Sequence, residues 1–248
     1  KSNFNGKANI QVVPADIESV EPKLCYGYYT DGYSTPYGRF DKYAVGTTKF
    51  DTILFPTKTN EVYSVVPTPV PVEGLNENAS DGSASAFTAE IKAEEAAVDE
   101  DYKINYMILH EPDKKAGDEL AFSNLTTNGD LAFYQMSGNE KNPTPERLIF
   151  HNGTHLKNTA LDYELAYSKG TETINEVSVK WSGSMLEIEA GKARGNNGEA
   201  LDGDFDVEAF LKDFTVIAPH KITSVTVNGK KTDFKQKANY VYFGNEPI

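Results

Sequence analysis

Along most of the chain, apolar and polar residues alternate with a period of two. Lys49 to Phe55, Glu61 to Val66, Tyr102 to Leu109, Asp162 to Tyr167, Glu176 to Trp181 and Met185 to Glu189 all show it. That period puts every second side chain on the same side of an extended backbone. Each segment is therefore predicted to be a strand that buries one face. The runs are short, rich in Val, Ile, Tyr and Phe, and bounded by Gly, Pro, Asn or Asp. That is the pattern of an all-β fold, an antiparallel β-sandwich or larger supersandwich.

The turn chemistry points the same way. Asn128-Gly129, Ser182-Gly183 and Asn228-Gly229 each sit between strand-like runs. Asn-Gly tolerates positive φ at both central positions of a tight turn, so hairpins are predicted at all three places. Two segments test the β reading. Between Phe87 and Val98 the residues Ala, Glu and Lys favour helix, yet Phe87, Ala89, Ile91 and Ala93 alternate with Thr88, Glu90, Lys92 and Glu94, and a strand is predicted. Val207, Phe210, Leu211 and Phe214 follow helical spacing, which predicts one short amphipathic helix over residues 206–213 before the strand Thr215 to Ala218.

The run from Gly74 to Ser85 is polar and Gly-punctuated, and the Pro67 to Pro71 stretch before it is extended. It reads either as a loop or as a subdomain break at residues 73–86. Strand-like runs continue on both sides without a change of character, so a single domain over residues 1–248 is expected.

Composition narrows the function classes. With 24 basic against 37 acidic residues the formal charge is -13, the wrong sign for a nucleic-acid binder. The same carboxylates repel an acidic polysaccharide, so contact with one requires a local basic patch. The lone cysteine, Cys25, forms no internal disulfide and reads as a small buried apolar residue. No apolar run is long enough for a membrane-spanning helix. Lys1 to Gly6 have no signal-peptide apolar stretch, and Asn9 to Val13 already reads as a strand, as in the middle of a longer chain.

Several pieces carry a resemblance. Asp31-Gly-Tyr-Ser-Thr-Pro-Tyr-Gly-Arg39 is followed by Phe50-Asp-Thr-Ile-Leu-Phe-Pro56, then by Phe122 to Ala132, Arg147 to Leu156 and Ile222 to Lys230. In this order they resemble the C-terminal β-sheet region of heparinase II/III-like polysaccharide lyases, which show a Ser-x-x-Tyr-Gly element and then an aromatic-Thr-x-Leu-aromatic-Pro strand. The resemblance implies a multi-layered antiparallel supersandwich that follows an N-terminal α/α toroid. It also implies a secreted, periplasmic or cell-surface bacterial parent that cuts acidic polysaccharides by β-elimination.

β-Elimination on a uronic acid needs a group to neutralise the carboxylate, a base and an acid. In the family these roles resemble an Asn or His with Tyr and His, supplied by the toroid and the early strands. No such element precedes Ser34 here, so no catalytic residue carries over. The expected role is a non-catalytic module that braces a catalytic N-terminal domain, with polysaccharide as a second partner. The competing reading is a free-standing carbohydrate-binding or adhesion module.

Tyr26, Tyr28, Tyr29, Tyr33 and Tyr37 cluster beside Arg39. Sugar rings stack on Tyr and Arg holds carboxylates, so Tyr33, Tyr37 and Arg39 are the candidate carbohydrate contacts. The alternative is packing, with Tyr26 and Tyr28 on one strand face and Tyr33 and Tyr37 at a corner of the sheet. Asp202, Asp204 and Asp206 alternate as oxygen ligands of calcium do, without the Gly and Glu of a helix-loop-helix site. A solvated acidic loop is the other reading, and no cofactor beyond calcium is expected. His151 and His155 have metal-like spacing only on a helix, and Asn152-Gly153 argues for a turn, which makes them structural. His110 and His220, near strand ends, read as solvated or satisfied.

Overall fold

The computed structural model describes residues 9–28, 34–45, 48–57, 62–77, 79, 82–95, 102–110, 119–139, 142–169, 174–191, 205–244 and 246. In chain order the first strands are β1 (Asn9–Pro14), β2 (Glu21–Tyr28), β3 (Ser34–Asp41), β4 (Thr52–Thr57), β5 (Val62–Pro69), β6 (Ala84–Glu95) and β7 (Tyr102–Leu109). Then come β8 (Leu120–Phe122), β9 (Leu125–Thr127), β10 (Leu131–Asn139), β11 (Asn142–Gly153), β12 (His155–Asn158), β13 (Tyr163–Ser168), β14 (Ile174–Ser182) and β15 (Met185–Gly191). After α1 (Val207–Asp213) follow β16 (Phe214–Ile217), β17 (Ser224–Val227), β18 (Lys230–Lys231), β19 (Lys235–Lys237) and β20 (Tyr240–Tyr242).

The fold is an all-β sandwich. A nine-stranded sheet runs β18-β17-β15-β14-β11-β10-β7-β6-β5 and a seven-stranded sheet runs β19-β20-β16-β13-β12-β9-β8. Among the described residues, all pairings are antiparallel except β15 with β17. The alternation in the sequence explains why the sheets meet. Ala86, Met107, Ala132, Phe150, Val177 and Ala190 form one row across the larger sheet. They share a buried cluster with Leu156, Leu165, Ala166, Val216 and Val241 of the smaller one. Each fully buried side chain of Leu or Phe size contributes about 1.5–3 kcal/mol. The Trp181 indole N–H crosses between the sheets to the Ile217 carbonyl at 3.0 Å, so its burial leaves no donor unpaired.

The larger sheet also buries part of its other face. There Phe87, Ala89, Ile91 and Ile104 pack with Ile53, Phe55, Tyr63 and Tyr106. Burial pushes the Tyr106 phenol up to about 12. Ile53 and Phe55 belong to a two-stranded ribbon of β1 and β4 that makes a third layer. Gln11 fastens it by donating to the Tyr63 carbonyl at 2.9 Å. A second ribbon pairs β2 with β3.

The segment read as strand or helix after Phe87 is strand β6, and the predicted helix is α1. The Asp206 side chain caps α1 by accepting from the backbone N–H groups of Glu208 and Ala209, both at 3.0 Å. The hairpins at Gly183 and Asn228-Gly229 form, the latter with φ of 49° and 74° at its two central residues. Asn128-Gly129 does not close a hairpin. The hairpin is one turn earlier, between β8 and β9 at Ser123-Asn124, and Asn128-Gly129 carries the chain from the smaller sheet to the larger. The residue 73–86 segment links two strands, β5 and β6, that pair with each other. Within it Glu73 forms a bridge to Ala121 of the other sheet. Cys25 is half-buried on the β2–β3 ribbon, not a core residue.

The sheet edges are built from unusual strands. One edge of the larger sheet is β18, two exposed lysines. The other is β5, which contains Pro67 and Pro69. The smaller sheet ends in β19, Lys-Gln-Lys, and in the three-residue β8.

Candidate functional site

Tyr33 lies outside the described residues. Tyr37 and Arg39 stand two apart on β3, hence on one side of the ribbon, across from Cys25 and Lys23. The Tyr37 ring leans over Gly27, where a Cβ would lie 3.5 Å from it. Tyr37 is 47% exposed and Tyr26 61%. These two tyrosines lie on opposite faces of the ribbon, and neither packs into a core of the described residues.

Arg39 is already committed. Its Nε and Nη2 grip the two Asp41 oxygens at 2.7 and 2.8 Å. Lys23 Nζ reaches Asp41 at 2.8 Å and Glu21 at 3.0 Å. The hydrogen bonds from Lys23 and Arg39 hold the Asp41 carboxyl below its ordinary range. Two cations face two carboxylates, so the cluster carries no net charge. A sugar carboxylate gains little there unless it displaces Asp41, and solvent screens exposed pairs of this kind.

The ribbons' most distinctive property is apolar exposure. Among the described residues, every exposed large hydrophobic side chain except Met185 lies within the first 66 residues. On the β1–β4 ribbon, Ile53 and Phe55 point to the core, which turns Val12 and Leu54, a directly opposed pair, and Ile10 outward. Leu54 is 62% exposed, and on the β2–β3 ribbon Leu24 is 70% exposed.

The histidines occupy a different place. Two chain crossings between the sheets lie side by side, one at Asn128-Gly129-Asp130 and the other at Asn152-Gly153-Thr154. Asn128 donates to the Thr154 hydroxyl at 2.9 Å and accepts from the Thr154 N–H at 2.8 Å. Asp130 accepts from Asn152 Nδ2 at 2.7 Å and from His151 Nδ1 at 2.7 Å. That bond raises the His151 pKa above its ordinary value, against the opposing effect of burial. His155 sits 3.0 Å from Glu119, and His110 lies 2.7 Å from the Ser85 hydroxyl. His220 bonds the Gly183 carbonyl. Each histidine thus has a protein partner. Sequence reasoning missed Asp130, although the near-repetition of Thr-Asn-Gly-Asp and His-Asn-Gly-Thr marked the place.

Asp202 and Asp204 lie outside the described residues, and Asp206 is the helix cap. Among the described residues no three His, Cys, Asp or Glu side chains are grouped to hold a metal ion. Likewise, no helix among them is long and apolar enough to cross a membrane. Comparisons with protein-family models, with curated proteins and with solved structures gave no match.

Proposed function

We infer that this chain is a non-catalytic C-terminal β-sandwich module of a bacterial polysaccharide lyase, whose role is to brace the catalytic toroid of the parent enzyme. The observation that carries the reading is the outward apolar face of the β1–β4 ribbon. Contiguous exposed apolar surface marks an interaction site, and Ile10, Val12 and Leu54, which share that face, suit burial against a protein better than binding of a polyanion. The order of the strand motifs, from Ser34 to Lys230, supports the reading through its resemblance to that family. The third layer formed by β1 and β4 fits the multi-layered sheet that the family implies.

The experiment uses the parent enzyme and the isolated chain together. Val12→Asp with Leu54→Asp is expected to abolish lyase activity of the parent while the isolated chain keeps its melting temperature. Incubated with heparan, chondroitin, hyaluronan or alginate, the isolated chain is expected to release no unsaturated uronate, seen as a flat ultraviolet trace. Turnover by the isolated chain, or full activity of the doubly substituted parent, would sink the proposal. The exposed Tyr37 ring favours a second reading, a carbohydrate-binding module. Retention in affinity electrophoresis by a neutral polysaccharide, lost in Tyr37→Ala, would select it.

A further inference from the structure

The chain is acidic, yet its basic residues are unevenly placed. Residues 221–237 hold Lys221, Lys230, Lys231, Lys235 and Lys237 against one carboxylate, Asp233. That is a surplus of four positive charges in a chain of -13, so the remainder stands at -17. All five lysines are exposed.

The fold keeps this segment on one side of the sandwich. β18 is an edge of the larger sheet and β19 an edge of the smaller. The chain passes from one to the other through Thr232, Asp233 and Phe234, so the backbones at Lys231 and Lys235 lie within about 14 Å of each other. Phe234 anchors the connection by packing on the core between the sheets. Gln236 of β19 donates to the His220 carbonyl at 2.8 Å and accepts from the Ile222 N–H at 2.9 Å, which holds Lys221 beside β19. Lys235 and Lys237 share one side of β19, and Lys230 and Lys231 stand on opposite sides of β18. The lysines therefore form a strip along the side of the sandwich.

Little in the protein neutralises that strip. Among the described residues, only Lys237 of the five has a carboxylate partner, Glu246 at 3.0 Å. Lys235 Nζ lies 5.9 Å from the centre of the Tyr242 ring, a contact that leaves its charge intact. Glu187 and Glu189 of β15 are set back from β18 by β17. By contrast Lys23, Arg39, Lys42, Lys92, Lys157 and Lys180 each lie within 3.4 Å of a carboxylate.

The shape of the strip narrows the ligand. A small anion meets one or two exposed lysines, and each such pair is weak in water. A ligand with charges at intervals meets several at once. The strip is about as wide as the ~10 Å between packed sheets, and exposed charges more than about 8 Å apart are largely screened at physiological salt. A narrow chain therefore feels the lysines alone, whereas a membrane surface or a DNA duplex also meets the acidic remainder.

We propose that the lysine strip of residues 221–237 binds a single chain of an acidic polysaccharide laid along the side of the sandwich. The choice of a polysaccharide rests on the substrate class inferred above for the parent, and the strip itself does not. The test is isothermal titration calorimetry of the isolated chain at low salt with oligosaccharides of heparan, chondroitin, hyaluronan and alginate. Neutral dextran, duplex DNA and phosphatidylserine vesicles serve as comparisons. The titrations are repeated on a strip variant (Lys230→Gln, Lys231→Gln, Lys235→Gln) and on a control variant (Lys92→Gln, Lys157→Gln, Lys180→Gln) that loses the same charge elsewhere, with circular dichroism to verify folding. At least one acidic polysaccharide is expected to bind, more weakly as salt rises and about tenfold more weakly in the strip variant. Dextran should not bind, and the control variant should stay within twofold of the wild type. The proposal is overturned if no acidic polysaccharide binds, if the strip variant binds as the wild type does, if the control loses as much, or if DNA or vesicles bind more tightly than every polysaccharide. A chain that binds these polymers while the parent with Val12→Asp and Leu54→Asp stays fully active keeps the strip and loses the bracing role.

Discussion

The two ribbons at the start of the chain and the sandwich that follows obey the same alternation, with opposite outcomes. In the sandwich, Phe150 and Leu148 alternate with the more exposed Ile149 and Arg147, and the apolar face is covered by the second sheet. In β4, Ile53 and Phe55 are covered but Leu54 between them is also apolar and stands in water. A period of two reveals which residues share a face. How many faces find a cover depends on how many layers are present, and the β1–β4 ribbon has the larger sheet beneath it and, among the described residues, no layer above it.

The contrast can be broken hardest in the sandwich. Phe150→Ala deletes a fully buried ring and is expected to cost about 3–5 kcal/mol. In calorimetry this is a fall in melting temperature of roughly 6–20 °C, at about 2–4 °C per kcal/mol for a chain of this size. A fall below that range would place the stability of the molecule elsewhere. Gly153→Ala comes next. A Cβ there would lie 2.6 Å from the Gly129 nitrogen and 2.7 Å from Asn128 Oδ1, so the crossing must shift, at about 1–3 kcal/mol. An unchanged denaturation midpoint would show that the two crossings are not locked together.

A smaller effect separates charge from packing. The Asp130 contact raises the folded-state pKa of His151, so its contribution is fully present below the unfolded value of about 6.5 and fades as pH rises through the higher folded value. The melting-temperature gap between wild type and His151→Gln is therefore expected to widen from pH 8.5 to pH 6. A pH-independent gap would make the pair one of shape alone. Smallest of all is Leu54→Ser in the isolated chain. Surface changes usually stay within about 0.5 kcal/mol, so its melting temperature should hold. A large loss would mean that the ribbon's outer side is already covered in the isolated chain.

Much of this architecture was legible in the sequence, because strand periodicity and turn residues are local. β7 begins and ends where Tyr102 to Leu109 predicts, and α1 follows from four apolar residues. The misreadings involve partners far away in the chain. Asn128-Gly129 has hairpin chemistry, but the strand it leads into pairs with β7 and β11 rather than with β9. For Tyr26 and Tyr37 the packing alternative stays open in the sequence until the exposure of both faces of the ribbon is known. Of the candidate site, Tyr37 and Arg39 share a face as their spacing requires, whereas the Asp41 grip that occupies Arg39 depends on a rotamer the sequence does not encode.

An open strand edge can recruit a strand from another molecule and so propagate assembly. Here that invitation is withdrawn four times. The lysines of β18 and β19 repel a like edge, the prolines of β5 lack N–H groups to donate, and β8 is too short to template anything. Growth of either sheet is thereby confined to this chain, and side chains rather than backbone decide which visitor is admitted.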